Sequence, residues 1–245
     1  MRTIRIYVSE LLATNSDIQL SGTAANHIAK VLRMSEGDPL VLFNGSGNEY
    51  HCTITVLSKK QVCAHINSEQ SVPRASPLGI HLGQVISRGD RMDFAIQKAT
   101  ELGVTEITPL FSERCEVKLK GDRLEKKLGH WQQIAISACE QSYRNTVPII
   151  HPARPVTEWI SQQDQTLKLV LHPHSPVQLE TISKPETVSI LIGPEGGFSE
   201  TEVKSFEDYQ FKSIALGPRV LRTETAPIVA ISVLQYQWGD FSSPT

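Results

Sequence analysis

The sequence predicts an α/β protein: a parallel-sheet domain with a small β-barrel in front of it. Three observations carry this. Apolar residues alternate with polar ones through the first ~70 positions. Beyond a proline-bearing polar stretch, apolar strand-like runs alternate with helical patterns. Near the carboxyl end, two strand–glycine-loop–helix units follow each other closely, at residues 187–203 and 213–234.

In the first region, residues 4–8 read as a strand and residues 21–34 as a helix with Ile28, Val31 and Leu32 on its core side. Residues 40–43 form a further strand, ended by the turn Asn44-Gly45-Ser46-Gly47-Asn48. Tyr50, Cys52, Ile54 and Val56 alternate, as do Val62, Ala64 and Ile66, which suits half-buried strands. The segment 67–77, with two prolines, reads as a linker, giving domains at 1–72 and 78–245. In the second domain, strands are expected at 80–86, 107–111, 147–150 and 167–171, and helices at 90–102, from Asp122 onward, and at 156–160. Asp90 and Asp122 are placed as helix caps, with Glu125 as the capping-box partner of Asp122. The long helix carries Leu124, Leu128, Trp131, Ala135 and Ala138 as an apolar stripe.

The chain has 245 residues, 40% of them hydrophobic, and a formal net charge of −2. Near-neutral charge gives no overall signal for nucleic acid, so an RNA contact has to come from local patches. The four cysteines are scattered, without CxxC or zinc-finger spacing, which fits reduced thiols in a cytoplasmic setting. No apolar run reaches the ~18 residues needed to span a bilayer. No Ser-His-Asp or Cys-His arrangement is evident, and a metal at His172 and His174 lacks a carboxylate or cysteine at ligand spacing.

In the first glycine loop, residues 188–192 form a buried strand and Gly193, Gly196 and Gly197 permit a tight turn. Ser199 and Glu202 form a capping box, and Phe198 and Val203 a hydrophobic staple, opening the next helix. Neither GxGxxG nor GxxxxGK[ST] is present. Glu195, Glu200 and Glu202 would repel a phosphate, so a neutral or cationic ligand such as S-adenosylmethionine fits better than a nucleotide phosphate. A plain tight turn between strand and helix explains the loop equally well. The second unit repeats the format: a strand at 214–216, the turn Gly217-Pro218, a cap at Thr223 or Thr225, and Pro227 in a first helical turn. Both loops then fall at the carboxyl edge of one parallel sheet, where such sheets bind ligands.

LIGPEGGFS (residues 191–199) together with LGPRVLRTETA (residues 216–226) resembles the carboxy-terminal signature of the RsmE family. These are bacterial methyltransferases of the SPOUT superfamily. The resemblance extends through residues 81–104, PLFSERC, CEQSYR, LHP and HIAKVLRM, and so spans the chain. It implies a SPOUT methyltransferase domain with a carboxy-terminal trefoil knot, preceded by a PUA-like β-barrel used on RNA. It also implies S-adenosylmethionine as cofactor, N3 of a uridine in 16S ribosomal RNA of the small subunit as target, no metal, and a homodimer formed through the knot. There is no implied membrane or DNA partner.

On this footing the cofactor contacts fall on Leu171, His172, Pro173, Gly193, Pro194, Glu195, Gly196, Gly197, Leu216, Gly217 and Leu221. Catalysis falls on Arg222, then Arg219, because an arginine fork suits the oxygens of a uracil anion. Glu140 is a possible general base, weak unless burial raises its pKa; a structural Glu140–Arg144 pair at i,i+4 explains it as well. RNA contacts are expected from Arg2, Arg5, Lys30, Arg33, Arg88, Arg91, Lys98, Arg114 and Arg144, and the basic residues Lys59, Lys60 and Arg74 share the first domain. A solvated charged surface is the alternative for most of these. Rival functions are a SPOUT enzyme with another RNA target, a non-catalytic RNA-binding or ribosome-assembly protein and, more remotely, a nicotinamide-dependent oxidoreductase.

Overall fold

The computed structural model describes residues 4–58, 61–172 and 177–242, without the side chains of residues 23, 30 and 31. Arg2, Lys59, Lys60, Pro173, His174 and the side chains of Lys30 and Val31 therefore lie outside the described residues. The chain forms two compact units: residues 1–75 with 139–147, and residues 76–138 with 148–245.

The first unit is a five-stranded sheet in the order β1 (Arg5–Tyr7), β3 (Pro39–Phe43), β4 (Asn48–Leu57), β5 (Val62–Ser71), β2 (Ser16–Leu20). The pair β1–β3 is parallel and the others antiparallel. The expected alternation supplies its core: Tyr50, Cys52, Ile54, Val62, Ala64 and Ile66 are buried with Ile6, Leu40 and Leu42. Val56 is exposed, because the register of β4 slips between Ile54 and Val56. β1 and β2 end the strand order, so among the described residues the barrel is open between them. β2 escapes prediction because Ile18 and Leu20 are its only apolar residues. The linker expectation fails in its first half: β5 runs on to Ser71, pairing with residues 48–51 of β4. Polar side chains there are compatible with an exposed strand face. The expected helix at 21–34 is a short α1 (Gly22–Asn26) continued by a π-helical turn (His27–Val31), with Ile28 fully buried.

The second unit is an all-parallel seven-stranded sheet. Its order is β12 (Lys212–Ile214), β10 (Leu167–Leu171), β11 (Thr187–Ile192), β6 (Gly79–Val85), β7 (Glu106–Phe111), β8 (Ile149–Ile150), with β9 (Arg154–Pro155) also paired to β7. The two faces follow from the period of two. Ile80, Leu82, Leu169, Val188, Ile190 and Ile192 pack with α2 (Asp90–Glu101), α3 (Asp122–Ser142) and α6 (Thr225–Trp238). Val85, Leu110, Val170 and Leu191 pack on the other face with α4 (Val156–Ser161) and α5 (Glu200–Asp208). On this second face Gly83 lies against the Trp159 ring, where a Cβ would come within 2.6 Å of it.

Several expected caps are displaced. The N-cap of α2 is Gly89 rather than Asp90, which sits in the first turn with Asp93. The N-cap of α6 is Glu224, without a side-chain hydrogen bond. α5 keeps the full capping box: Glu202 N–H donates to Ser199 Oγ (3.1 Å) and Ser199 N–H to Glu202 Oε2 (2.9 Å). β12 ends at Ile214, so Ala215 and Leu216 belong to the following loop. That loop returns from the edge strand to the middle of the sheet: Thr223 Oγ1 donates to the Gly193 carbonyl beyond β11 (3.0 Å) and accepts from Gln84 Nε2 of β6 (3.2 Å).

Candidate active site at the carboxyl edge of the parallel sheet

In the second unit, the ends of β10 and β12 and the loop after β12 enclose a cleft of about 350 Å³. Leu171, His172, Leu216, Gly217, Arg219 and Leu221 line it. This size is at the lower end of ordinary ligand sites. Its walls are aliphatic side chains and loop backbone, and it is closed at the strand end by a hydrogen bond from His172 N–H to the Ile214 carbonyl (3.0 Å). Gly217 has φ +81°, a conformation L side chains rarely adopt. Ile214, Ala215, Pro218 and Val220 complete the lining. The sequence reading did not name these four as site residues: it placed Ile214 and Ala215 in a strand and read Pro218 only as a turn residue.

The glycine loop after β11 adjoins this region without lining the cleft, and its glycines answer to the chain itself. A Cβ on Gly193 would meet the Phe198 ring at 2.8 Å, and Gly196 packs on Arg114. Gly197, at φ +67°, closes a turn onto the Pro194 carbonyl (3.0 Å). Two of the three carboxylates expected to repel phosphate are engaged by neighbours. Glu195 pairs with Arg91 (2.7 Å), and Glu202 is buried in the capping box, where it also accepts from Glu113 N–H (3.0 Å). The box engages the Ser199 and Glu202 N–H groups at the start of α5, and the exposed Glu200 adds a negative charge there.

Arg219 and Arg222 are exposed, and neither has an ion-pair partner among the described residues. The Arg222 carbonyl accepts the N–H groups of Thr225 and Ala226 (both 2.9 Å), so the start of α6 fixes its backbone. Thr223, expected as a cap, instead ties this loop to Gly193 and Gln84, a network with no signal in the sequence pattern.

Of the expected RNA contacts in this unit, Arg88 pairs with Glu116 (3.0 Å) and Lys98 with Glu101 (2.8 Å). Arg114 Nη1 donates to the Gly196 carbonyl (3.1 Å). Partly exposed pairs like these are weak and exchangeable.

In the first unit, Arg33 is exposed. Arg5 is buried and cannot serve as a surface contact: its guanidinium pairs with Glu49 (2.7 Å), donates to Asn145 Oδ1, and lies over the Phe43 and Tyr143 rings. Arg144 is likewise buried. Tyr7 N–H donates to Glu140 Oε1 (3.0 Å) and His27 Nδ1 lies 3.9 Å from Oε2. These contacts place residues 139–147 with the first unit rather than in the carboxy-terminal domain. Burial pushes the Glu140 pKa above the usual carboxylate range, against the opposing effect of the Tyr7 N–H.

A cleft of loop backbone and aliphatic side chains at the carboxyl ends of parallel strands, with exposed arginines in the loop that forms it, defines a ligand-binding α/β domain. Residues 74–235 match the model of an RNA methyltransferase domain and residues 20–67 that of an RNA methyltransferase PUA domain. The chain is 42% identical to the ribosomal RNA small subunit methyltransferase E of Buchnera aphidicola from Schizaphis graminum, over 98% of this chain and 99% of the relative. It is 33% identical to the protein of that description from Bacillus subtilis, with 89% of each covered. A Neisseria gonorrhoeae ribosomal RNA small subunit methyltransferase E bound to S-adenosyl methionine superposes with a TM-score of 0.94 at 41% identity, over 98% of this chain and 100% of that one. A Legionella pneumophila structure in complex with the bound cofactor SAM gives 0.95 at 44%, with the same coverage. The chain belongs to the ribosomal RNA small subunit methyltransferase E family.

Proposed function

We propose that the protein methylates N3 of a specific uridine in 16S ribosomal RNA, using S-adenosylmethionine held in the carboxyl-edge cleft. The observation that carries this reading is the cleft itself: aliphatic walls and loop backbone at a strand end, with Arg219 in its lining and the exposed Arg222 one residue beyond the lining residue Leu221. The donor set fits an adenosyl group: Leu171, Leu216 and Leu221 would pack its faces, and the backbone around Gly217 would approach its polar edge. Gly193, Pro194, Glu195, Gly196 and Gly197 would form the neighbouring wall, with His172 between. When bound, the cofactor supplies a methyl group on a sulfonium that leaves as a neutral thioether, so no metal is required.

Uracil N3 is nucleophilic only after its proton has passed to solvent, and the anion spreads onto the two flanking carbonyl oxygens. Arg222 would neutralise that charge as it develops, with Arg219 beside it. Glu140, held by the Tyr7 N–H, is assigned an anchoring role for β1 and not the proton transfer. Arg33, Arg88, Arg91, Lys98 and Arg114 would hold phosphates without reading sequence. With a net charge of −2, binding is better served by a preassembled small subunit than by free RNA. We further propose a trefoil knot at the return path through residues 215–224, a cytoplasmic location, and a homodimer through the carboxy-terminal unit, where Val220, Tyr236 and Phe241 are exposed.

The test is transfer of labelled methyl from S-adenosylmethionine to small ribosomal subunits lacking the modification, with the product nucleoside identified. 3-Methyluridine at a single position supports the reading. A different methylated nucleoside assigns another RNA target, and no transfer despite RNA binding favours a non-catalytic role.

A further inference from the structure

The amino edge of the same parallel sheet carries a second cluster that methyl transfer does not use. His81 of β6 and Glu106 of β7 are register neighbours, and His151 follows β8, its N–H bonded to the Ile107 carbonyl (2.9 Å). One ligand atom from each of the three lies within 4.8 Å of the other two. They open onto a polar hollow of about 210 Å³ that Asp164 and Arg154 also line.

We propose that His81, Glu106 and His151 form a binding site for a divalent transition ion, with zinc the best match. Two imidazoles and one carboxylate are a recurrent zinc donor set, and the hollow leaves the fourth tetrahedral position to water or Asp164. His81 presents Nδ1 to Glu106 Oε2 at 4.0 Å, while its Nε2 lies 2.7 Å from Thr108 Oγ1. A metal on Nδ1 would put the remaining proton on Nε2, to be donated to Thr108, and the Trp159 Nε1–H that now donates to Nε2 (3.4 Å) would have to turn away from it. His151 Nε2 and Glu106 Oε2, now 2.6 Å apart, would share the ion in place of a proton. Tetrahedral ligands at about 2.0–2.1 Å from zinc are about 3.4 Å apart, so this pair must open slightly and His81 must close in. The two histidine rings lie beside each other, with centroids 5.2 Å apart, and His151 is the more exposed of the two. The local charge favours a cation: Glu106 and Asp164 face the hollow against Arg154 alone.

The ion would tie β6, β7 and the segment after β8 together at the end of the sheet remote from the cofactor cleft. Its test is equilibrium dialysis of the full, metal-stripped chain against Zn²⁺, with Co²⁺ absorption reporting coordination geometry. The variants are Glu106→Gln and His151→Gln, both at partly exposed positions, with His130→Gln as control because His130 pairs with Asp93 elsewhere on the unit. We expect one Zn²⁺ per wild-type chain, a tetrahedral Co²⁺ spectrum, and a rise in Tm with Zn²⁺. All three should be lost in Glu106→Gln and His151→Gln and kept in His130→Gln, with the metal-free Tm of each variant showing that it is folded. Absence of bound Zn²⁺ in the wild type, or equal binding by all four proteins, would overturn the proposal.

Discussion

Arg5 and Arg222 have the same side chain and opposite circumstances. Arg5 is enclosed by Glu49, Asn145 and two aromatic rings. Replacing it with Ala leaves the Glu49 carboxylate buried, with Arg74 as its one remaining cation among the described residues (2.9 Å). Breaking a buried pair in this way costs about 3–5 kcal/mol, and we expect denaturant unfolding of Arg5→Ala to show a loss of that order. Arg222 is exposed and unpaired, so Arg222→Ala should leave stability within about 0.5 kcal/mol. Its methyl-transfer kcat should fall about a hundred- to a thousand-fold, the usual cost of removing a group that stabilises a developing anion. Single-turnover kinetics at saturating cofactor measures this. Glu140 makes a third contrast. Its raised folded pKa means that the native state holds a proton more tightly than the unfolded chain does, so stability falls as pH rises from the ordinary carboxylate range through the folded pKa. Glu140→Gln can still accept from Tyr7 N–H. We expect thermal melts of this variant to lose that pH dependence and to match or exceed the wild type at neutral pH.

At the scale of elements, what could be read in the sequence was whatever lay in a local pattern. β11 and the capping box of α5 depend on neighbours within a few residues, and both occur where the pattern placed them. Ser199→Ala should cost about 1 kcal/mol, seen as a lower denaturation midpoint with an unchanged slope. β2 was not legible because it has two apolar residues, and residues 67–71 were not because an exposed strand can be as polar as a linker. The same limit applies to the site. The second loop could be found from Gly217-Pro218 and its arginines, but the Thr223–Gly193–Gln84 bonds join positions 30 and 139 residues apart. Arg5 was misplaced for the same reason, since its partners Glu49 and Asn145 are 44 and 140 residues away. Gly83 is a further case: nothing near it in sequence shows that it accommodates Trp159. We expect Gly83→Ala to destabilise by about 1–3 kcal/mol through overpacking, measurable by chemical denaturation.

For the molecule as a whole, the parallel sheet separates two chemistries between its edges. The carboxyl edge gathers loops whose backbone and aliphatic side chains form the cleft, as open α/β sheets do. The amino edge gathers His81, Glu106 and His151. Among the described residues no helix is long and apolar enough to cross a membrane. The free cysteines Cys52 and Cys139 have their thiol pKa values pushed up to about 12 and about 11 by burial, so they should resist alkylation in the folded chain. Methyl transfer depends first on the carboxyl-edge cleft being the cofactor site. Binding calorimetry of S-adenosylmethionine with the wild-type chain and with Gly217→Val tests this most directly, since a β-branched side chain is strained at φ +81° and would disturb the loop that forms the wall. One-site binding to the wild type, weakened at least about tenfold in a variant that still melts cooperatively, is the expected result. Equal affinity for both proteins would place the cofactor elsewhere and contradict the mechanism.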